Sequence, residues 1–200
     1  MTVGEHIPTA HDASKFPTPK RYVFLLLPGF SHLSFTCALE ALSLANYSAR
    51  DRNYYDWTLV SDGGAPVAGW NGVTLQVDSD LFDLSRHDTL VVCSGLHVTE
   101  AASKRVLNWL RRETRKGMDF GAMNSGAYVL ALAGLVDNKR VTAHWEYHSA
   151  LTEMLPDVQM QDTIYTVDGR IFTCISADFV RRWKTDGDTS VFKFGDNSKS

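Results

Sequence analysis

Apolar residues in this chain fall into short blocks divided by turn formers, and the spacing inside the blocks alternates between continuous and helical. Tyr22–Leu27 is apolar at every position and is closed by Pro28-Gly29. A run apolar on both alternations predicts a strand covered on both faces, as in a parallel sheet. Phe35, Leu39, Leu42 and Ala45 then recur at helical spacing and predict an amphipathic helix ending near Tyr47. Tyr55–Val60 is a second strand, broken by Asp62-Gly63-Gly64. Val67–Val77 has the form of a short hairpin turning at Trp70-Asn71-Gly72. Thr89–Cys93 is a third core strand. One helix, capped by Thr99, is expected to continue to Lys116, with Glu100 in its first turn, basic residues near its end and Gly117 as its stop.

The same alternation continues. Met118–Met123 is a strand, Asn124-Ser125-Gly126 a tight turn, and Ala127–Ala133 a helix of small residues. Arg140–Ala143 reads as a short strand and Tyr147–Met154 as a helix closed by Pro156. Ile164–Val167 and Arg170–Cys174 form a hairpin around Asp168-Gly169. Strands alternating with helices give an α/β fold with a largely parallel sheet sandwiched by helices. Residues 1–20, with Pro8, Pro17 and Pro19, read as a flexible arm, 21–180 as one domain, and 181–200 as an irregular tail.

Composition narrows the function classes. The 200 residues are 44% hydrophobic and 22% charged, enough for one well-formed core. A net charge of -3 and a pI near 6.1 leave this segment without a basic nucleic-acid face. Cys37, Cys93 and Cys174 lack metal-ligand spacing, and their odd number fits a reducing, cytoplasmic setting better than a disulfide framework. Val23–Leu27 is far too short to span a bilayer, so no membrane association is expected.

Three loops leave the carboxyl ends of strands, where open α/β sheets bind ligands: Pro28–Leu33, Ser94–His97 and Asn124–Gly126. The last is an elbow. A strand, a sharp turn and an immediate small-residue helix lift one side chain above the sheet, with Asn124 at the apex. Ser125 is a rival nucleophile, but Met123 stands where a GxSxG motif needs its first glycine, so a capping or ligand-bonding role suits it better. His144 could serve as a base for such a serine, or equally as a core histidine bonded to backbone. His144, Trp145, Glu146, Tyr147 and His148 fit neither HExxH nor a three-ligand cage, so no metal is expected. Cys93 reads as a small core hydrophobe, and Glu40 as a solvated helix charge.

In order along the chain, LLLPGFS (Leu25–Ser31), ALEALSLAN (Ala38–Asn46), YDWTLVSDGG (Tyr55–Gly64), TLVVCSG (Thr89–Gly95), GAMNSGAYVLALAGLVDNKRVTAHWE (Gly121–Glu146) and LPDV…VDGRIFTC (Leu155–Cys174) resemble the amino-terminal domains of AraC-type transcription regulators. That is the GlxA-like group, related to the PfpI branch of the class I glutamine-amidotransferase-like superfamily. The resemblance implies a flavodoxin-like fold. It also implies that the family's catalytic cysteine position falls at Asn124, its acidic partner at about Ser34, and its histidine at His144. Two of those three positions have changed, and an amide cannot ionise into a nucleophile as a thiol does.

The implied function is a non-catalytic, cofactor-free sensor of a small nitrogenous metabolite, an amino acid or a betaine- or carnitine-like compound. The expected ligand-binding residues are Asn124, Ser125, His144, Gly95, Leu96, Phe30, Ser34 and Trp145. Phe30, Phe35, Trp70 and Trp145 are candidate aromatic faces for a cation. The resembled regulators continue into paired helix-turn-helix motifs, which Ile175–Ser200 does not supply, so DNA contact is expected only through a domain absent from this chain. A homodimer is expected as well. The competing reading is an amidase, protease-like or glyoxalase-type hydrolase of the same superfamily.

Overall fold

A computed structural model of the chain describes residues 18–49, 52–95, 98–144 and 147–175; the arm over residues 1–17 and the tail beyond residue 175 lie outside the described residues. The main sheet is built from β1 (Lys20–Leu26), β2 (Tyr55–Ser61), β5 (Ser79–Asp80), β6 (Thr89–Cys93), β7 (Asp119–Met123), β10 (Tyr165–Asp168) and β11 (Ile171–Cys174). Its order is β10-β11-β7-β6-β1-β2-β5, and every pairing is parallel except that of β10 with β11. The blocks that are apolar at consecutive positions became the central strands, because both of their faces are covered. Tyr22, Phe24 and Leu26 pack with Phe35, Ala38 and Leu42 of α1 (His32–Ala49) on one face. Val23, Leu25, Leu90 and Val92 pack on the other face. The helices there are α2 (Val98–Ala101), α3 (Lys104–Thr114), α4 (Gly126–Leu132) and α5 (His148–Met154).

Three elements differ from the sequence reading, each for a local reason. The helix expected to run unbroken from its Thr99 cap to Lys116 is two helices. Ser103 interrupts it and caps α3, its hydroxyl accepting the Val106 N–H at 3.1 Å, a bond that serine makes in preference to continuing a helix. The first helix begins earlier than its apolar spacing suggests. Ser31 caps it, accepting the Ser34 N–H at 3.3 Å while its carbonyl accepts the Phe35 N–H at 3.1 Å. The strand foreseen at Arg140–Ala143 shortens to β8 (Arg140–Val141) and pairs with β9 (Gln159–Met160), apart from the main sheet. The hairpin around Trp70 is present as β3 (Val67–Ala68) and β4 (Thr74–Leu75).

The two-residue strand β5 had no signal in the pattern, and polar contacts hold it in place. The Arg105 guanidinium bridges Asp80, at 2.6 Å and 2.8 Å, and Asp62, at 2.5 Å, while the Ser103 hydroxyl donates to Asp62 at 2.6 Å. The break between α2 and α3 is what brings Ser103 and Arg105 onto this edge. The Asp80 carboxyl is held well below the usual carboxylate range, mainly by Arg105 and then by the Leu81 N–H.

Glu113 is the buried charge of the helical layer. Its side chain is inaccessible to solvent and accepts from Leu84 N–H at 2.8 Å, Arg112 Nε at 2.7 Å and Lys116 Nζ at 2.5 Å. Burial opposes its ionisation, but the Lys116, Leu84 and Arg112 donors outweigh that and leave its carboxyl below the ordinary value. With the folded-state value depressed, the stabilisation is complete above the ordinary glutamate range and is lost as pH falls through and below it. Glu113→Gln is expected to cost about 2 kcal/mol at neutral pH. In urea titrations the gap between the two proteins stays constant down to about pH 5 and narrows below about pH 4.

Candidate functional site

The elbow after β7 forms as its sequence suggests. Asn124 has φ 58, the left-handed region, and its N–H donates to the Cys174 carbonyl at 2.8 Å. Asparagine tolerates this conformation better than most side chains, because its short amide bonds locally. Ser125 follows with φ -80 and ψ 2, and α4 starts at once with Gly126. A Cβ on Gly126 would stand 2.7 Å from the Val92 carbonyl oxygen, so only glycine lets α4 begin this close to β6. The apex therefore presents a half-buried amide above a helix start.

Ser125 is not poised as a nucleophile. It is fully buried, its hydroxyl donates to the Gly95 carbonyl, and the Ser94 hydroxyl lies at 3.4 Å. That commitment ties the elbow to the loop after β6. The loop is tied in turn to the one after β1: Phe30 and Gly95 form an antiparallel bridge, and Ser31 N–H donates to the Ser94 carbonyl at 3.3 Å. A Cβ on Gly95 would fall 2.1 Å from the Gly29 carbonyl oxygen, so the two loops touch backbone to backbone. Gly95 and Ser125 thus belong to the floor.

Ser34 is buried at the start of α1, and its hydroxyl donates to that of Ser31 at 3.2 Å. Phe30 is 0% exposed, with the Phe35 ring at 5.9 Å edge-on and the His32 ring at 4.5 Å. Phe30 and Phe35 therefore offer no open face to a cation, which corrects the expectation placed on them. Trp70 is 61% exposed on the β3–β4 turn, and its backbone N–H donates to the Phe30 carbonyl at 3.2 Å, so the hairpin borders the same loop. His144 is partly buried and follows Thr142, whose N–H donates to the Thr173 hydroxyl at 2.8 Å on β11, the neighbour of β7. Leu96 and Trp145 lie outside the described residues.

Sequence reasoning missed Ser31 and Ser94 as individual members of this floor. Ser31 carried a signal, the three-residue spacing of an N-cap to Ser34. Ser94 carried none beyond its place at a strand end. The described residues gathered here (Asn124, Ser125, Ser94, Gly95, Phe30, Ser31, Ser34) bring hydroxyls, an amide and backbone groups but no carboxylate, ammonium or guanidinium. Two thiols lie below the elbow, since Cys93 and Cys174 flank Met123 in the strand register. Burial pushes the Cys93 thiol well up, with Cys174 adding to it, and pushes Cys174 up to about 12. Neither is a thiolate near neutral pH. Among the described residues no group of His, Cys, Asp and Glu could hold a metal ion.

The sequence pattern of the DJ-1/PfpI family matches residues 20–185. The HTH-type transcriptional regulator CdhR of Pseudomonas aeruginosa is 38% identical over 73% of this chain and 43% of its own length. The HTH-type transcriptional regulator GlxA of Rhizobium meliloti is 37% identical over 78% of this chain and 48% of its own. This chain thus spans less than half the length of these regulators. A more distant relative is the isonitrile hydratase of Pseudomonas putida, 28% identical over 75% of this chain and 62% of its own. The crystal structure of an AraC family transcriptional regulator from Pseudomonas putida superimposes with a TM-score of 0.71 at 30% identity, covering 84% of this chain and 95% of that one.

Two outcomes test this geometry. Asn124→Ala, which keeps the left-handed backbone but loses the amide, is expected to lower unfolding stability by about 1 kcal/mol, whereas Asn124→Gly does not, as read by chemical denaturation. Titration of the native protein with a thiol reagent modifies half-exposed Cys37 alone, and Cys93 and Cys174 react only after unfolding. Rapid modification of all three thiols would contradict the buried floor.

Proposed function

The chain belongs to the DJ-1/PfpI family, and on that footing we propose that it is the non-catalytic, small-metabolite-sensing domain of a transcription regulator of the AraC type. One observation carries the reading: the apex of the elbow is Asn124, an amide with no ionisable atom, above a floor whose hydroxyls are already bonded. Such a surface can donate to and accept from a ligand, and it holds nothing that attacks one. The regulators CdhR and GlxA support the regulatory half of the reading.

In this reading the ligand is a small nitrogenous metabolite of the amino acid, betaine or carnitine kind, bound over Asn124 with the loops after β1 and β6 as walls. Neutral donors and acceptors suit a zwitterion, whose opposite charges each need partners but whose net charge needs no counter-ion. DNA is contacted by a helix-turn-helix domain outside this chain, and the working form is a cytoplasmic homodimer. A ligand regulates only if it binds two states unequally. The backbone-bonded contact between the Phe30 and Gly95 loops is where occupancy over Asn124 would reach the α1 layer.

The second reading, a hydrolase, has the isonitrile hydratase relative in its favour. Mass spectrometry of small molecules released from the purified chain, followed by melting in millimolar glycine betaine, carnitine and arginine, separates the two. The sensor reading expects a rise of several degrees with one compound, a diminished rise in Asn124→Leu, and no consumption of the compound. Turnover of an amide or aldehyde by the purified chain would overturn it.

A further inference from the structure

The opposite edge of the sheet, where the parallel strands begin, carries a second polar feature. On β1, β6 and β7 the residues sharing a face with Phe24, Val91 and Met123 are, by the two-residue period of a strand, Lys20, Thr89 and Asp119, and Arg170 stands in the turn just before β11, its carbonyl accepting the Phe120 N–H at 2.9 Å. The register sets Tyr22 beside Thr89, Thr89 beside Asp119, and Ile171 beside Phe120. One otherwise apolar face thus starts with a transverse polar row. Beneath it lies a cavity of about 200 Å³ lined by Lys20, Thr89, Asp119, Val167, Arg170 and Phe172, among others.

Two cations there face a single carboxylate. Lys20 Nζ donates to Asp119 at 3.1 Å, which neutralises that acid, while one Arg170 nitrogen is held by the Gly117 carbonyl. Thr89 is the independent observation. It is 2% exposed, and its hydroxyl has no hydrogen-bond partner among the described residues. A buried hydroxyl without a partner is costly, and native structures tolerate few of them. The strand register needs no hydroxyl at that position, and a valine would fill the same space.

We propose that this amino-edge cavity is a second ligand site, distinct from the elbow, which takes a small carboxylate bearing an apolar group. Its carboxylate meets Arg170, Lys20 and the Thr89 hydroxyl, and its apolar part lies against Phe172 and Val167. The volume is below the range of drug-sized pockets, which limits the ligand to roughly a single ring or a short branched chain.

Calorimetric titration of the whole chain with benzoate, and separately with inorganic phosphate, tests the site. Benzoate is expected to bind saturably, more tightly than phosphate. Thr89→Val and Arg170→Gln each weaken it about tenfold, the scale of one lost bond to a charged group. Arg86→Gln, which removes an exposed cation elsewhere, leaves it unchanged. Thr89→Val without ligand melts no lower than the parent, because it removes an unsatisfied group, and Arg170→Gln lies on an exposed turn, so its effect on benzoate is not one of folding. Absent binding, phosphate binding as tight as benzoate, or equal weakening by Arg86→Gln would each overturn the proposal. None of these outcomes depends on what occupies the elbow.

Discussion

A single residue in a left-handed conformation organises the upper half of this molecule. Asn124 turns the chain through the elbow, and the turn is possible because Gly126 lets α4 start against the Val92 carbonyl with no Cβ between them. Left-handed backbone costs an ordinary L-residue about 1–2 kcal/mol, so surrounding contacts must fix it. They do so through backbone and hydroxyls: Asn124 N–H on Cys174, Ser125 on Gly95, and Gly95 packed on Gly29. Three loops from three strands are thereby locked into one surface, and their relative positions are set mainly by main-chain groups that side-chain substitution leaves in place.

That arrangement explains how one scaffold can serve regulators and enzymes alike. The turn, the glycine and the neighbouring loops determine where an apical atom sits, and the identity of the apical residue determines what it can do. A thiol at the apex of such a turn would sit near the positive end of a helix and lose its proton easily. The amide of Asn124 has no proton to lose at any accessible pH. Ser34, buried and bonded to Ser31, contributes a neutral hydroxyl to the α1 cap. The thiols this chain does hold there, Cys93 and Cys174, lie beneath the surface and carry their protons.

Much of this was legible in advance, because its causes are local. Continuous apolar runs identified the central strands, and Asn124-Ser125-Gly126 between a strand and a small-residue helix identified the elbow together with its apex. What escaped notice depended on partners distant in sequence. Ser103 broke the expected helix partly because it reaches Asp62, some forty positions earlier, which no window of periodicity contains. Phe30 looked like a free aromatic face until Phe35 and His32 were seen to occupy it. Ser94 gained its meaning only when Ser125 folded down beside it. The polar row at the amino edge was invisible for the same reason: its members are far apart along the chain and become neighbours only through strand register.

The manner in which β5 ends the sheet also matters for the protein's behaviour in solution. A parallel sheet that stops on a long bare strand offers its unpaired N–H and C=O groups to any passing chain. Here the last strand is two residues long, and the Asp80 carboxylate, beyond holding Arg105, accepts N–H groups of Gly63 and Leu81. Arg105, Asp62 and Asp80 leave a fixed cluster of charge where a second strand would have to dock. The opposite border is β10, the antiparallel arm of a tight hairpin. Among the described residues neither border presents a long flat template, so edge-to-edge strand pairing between molecules is discouraged at β5 by length and charge and at β10 by length.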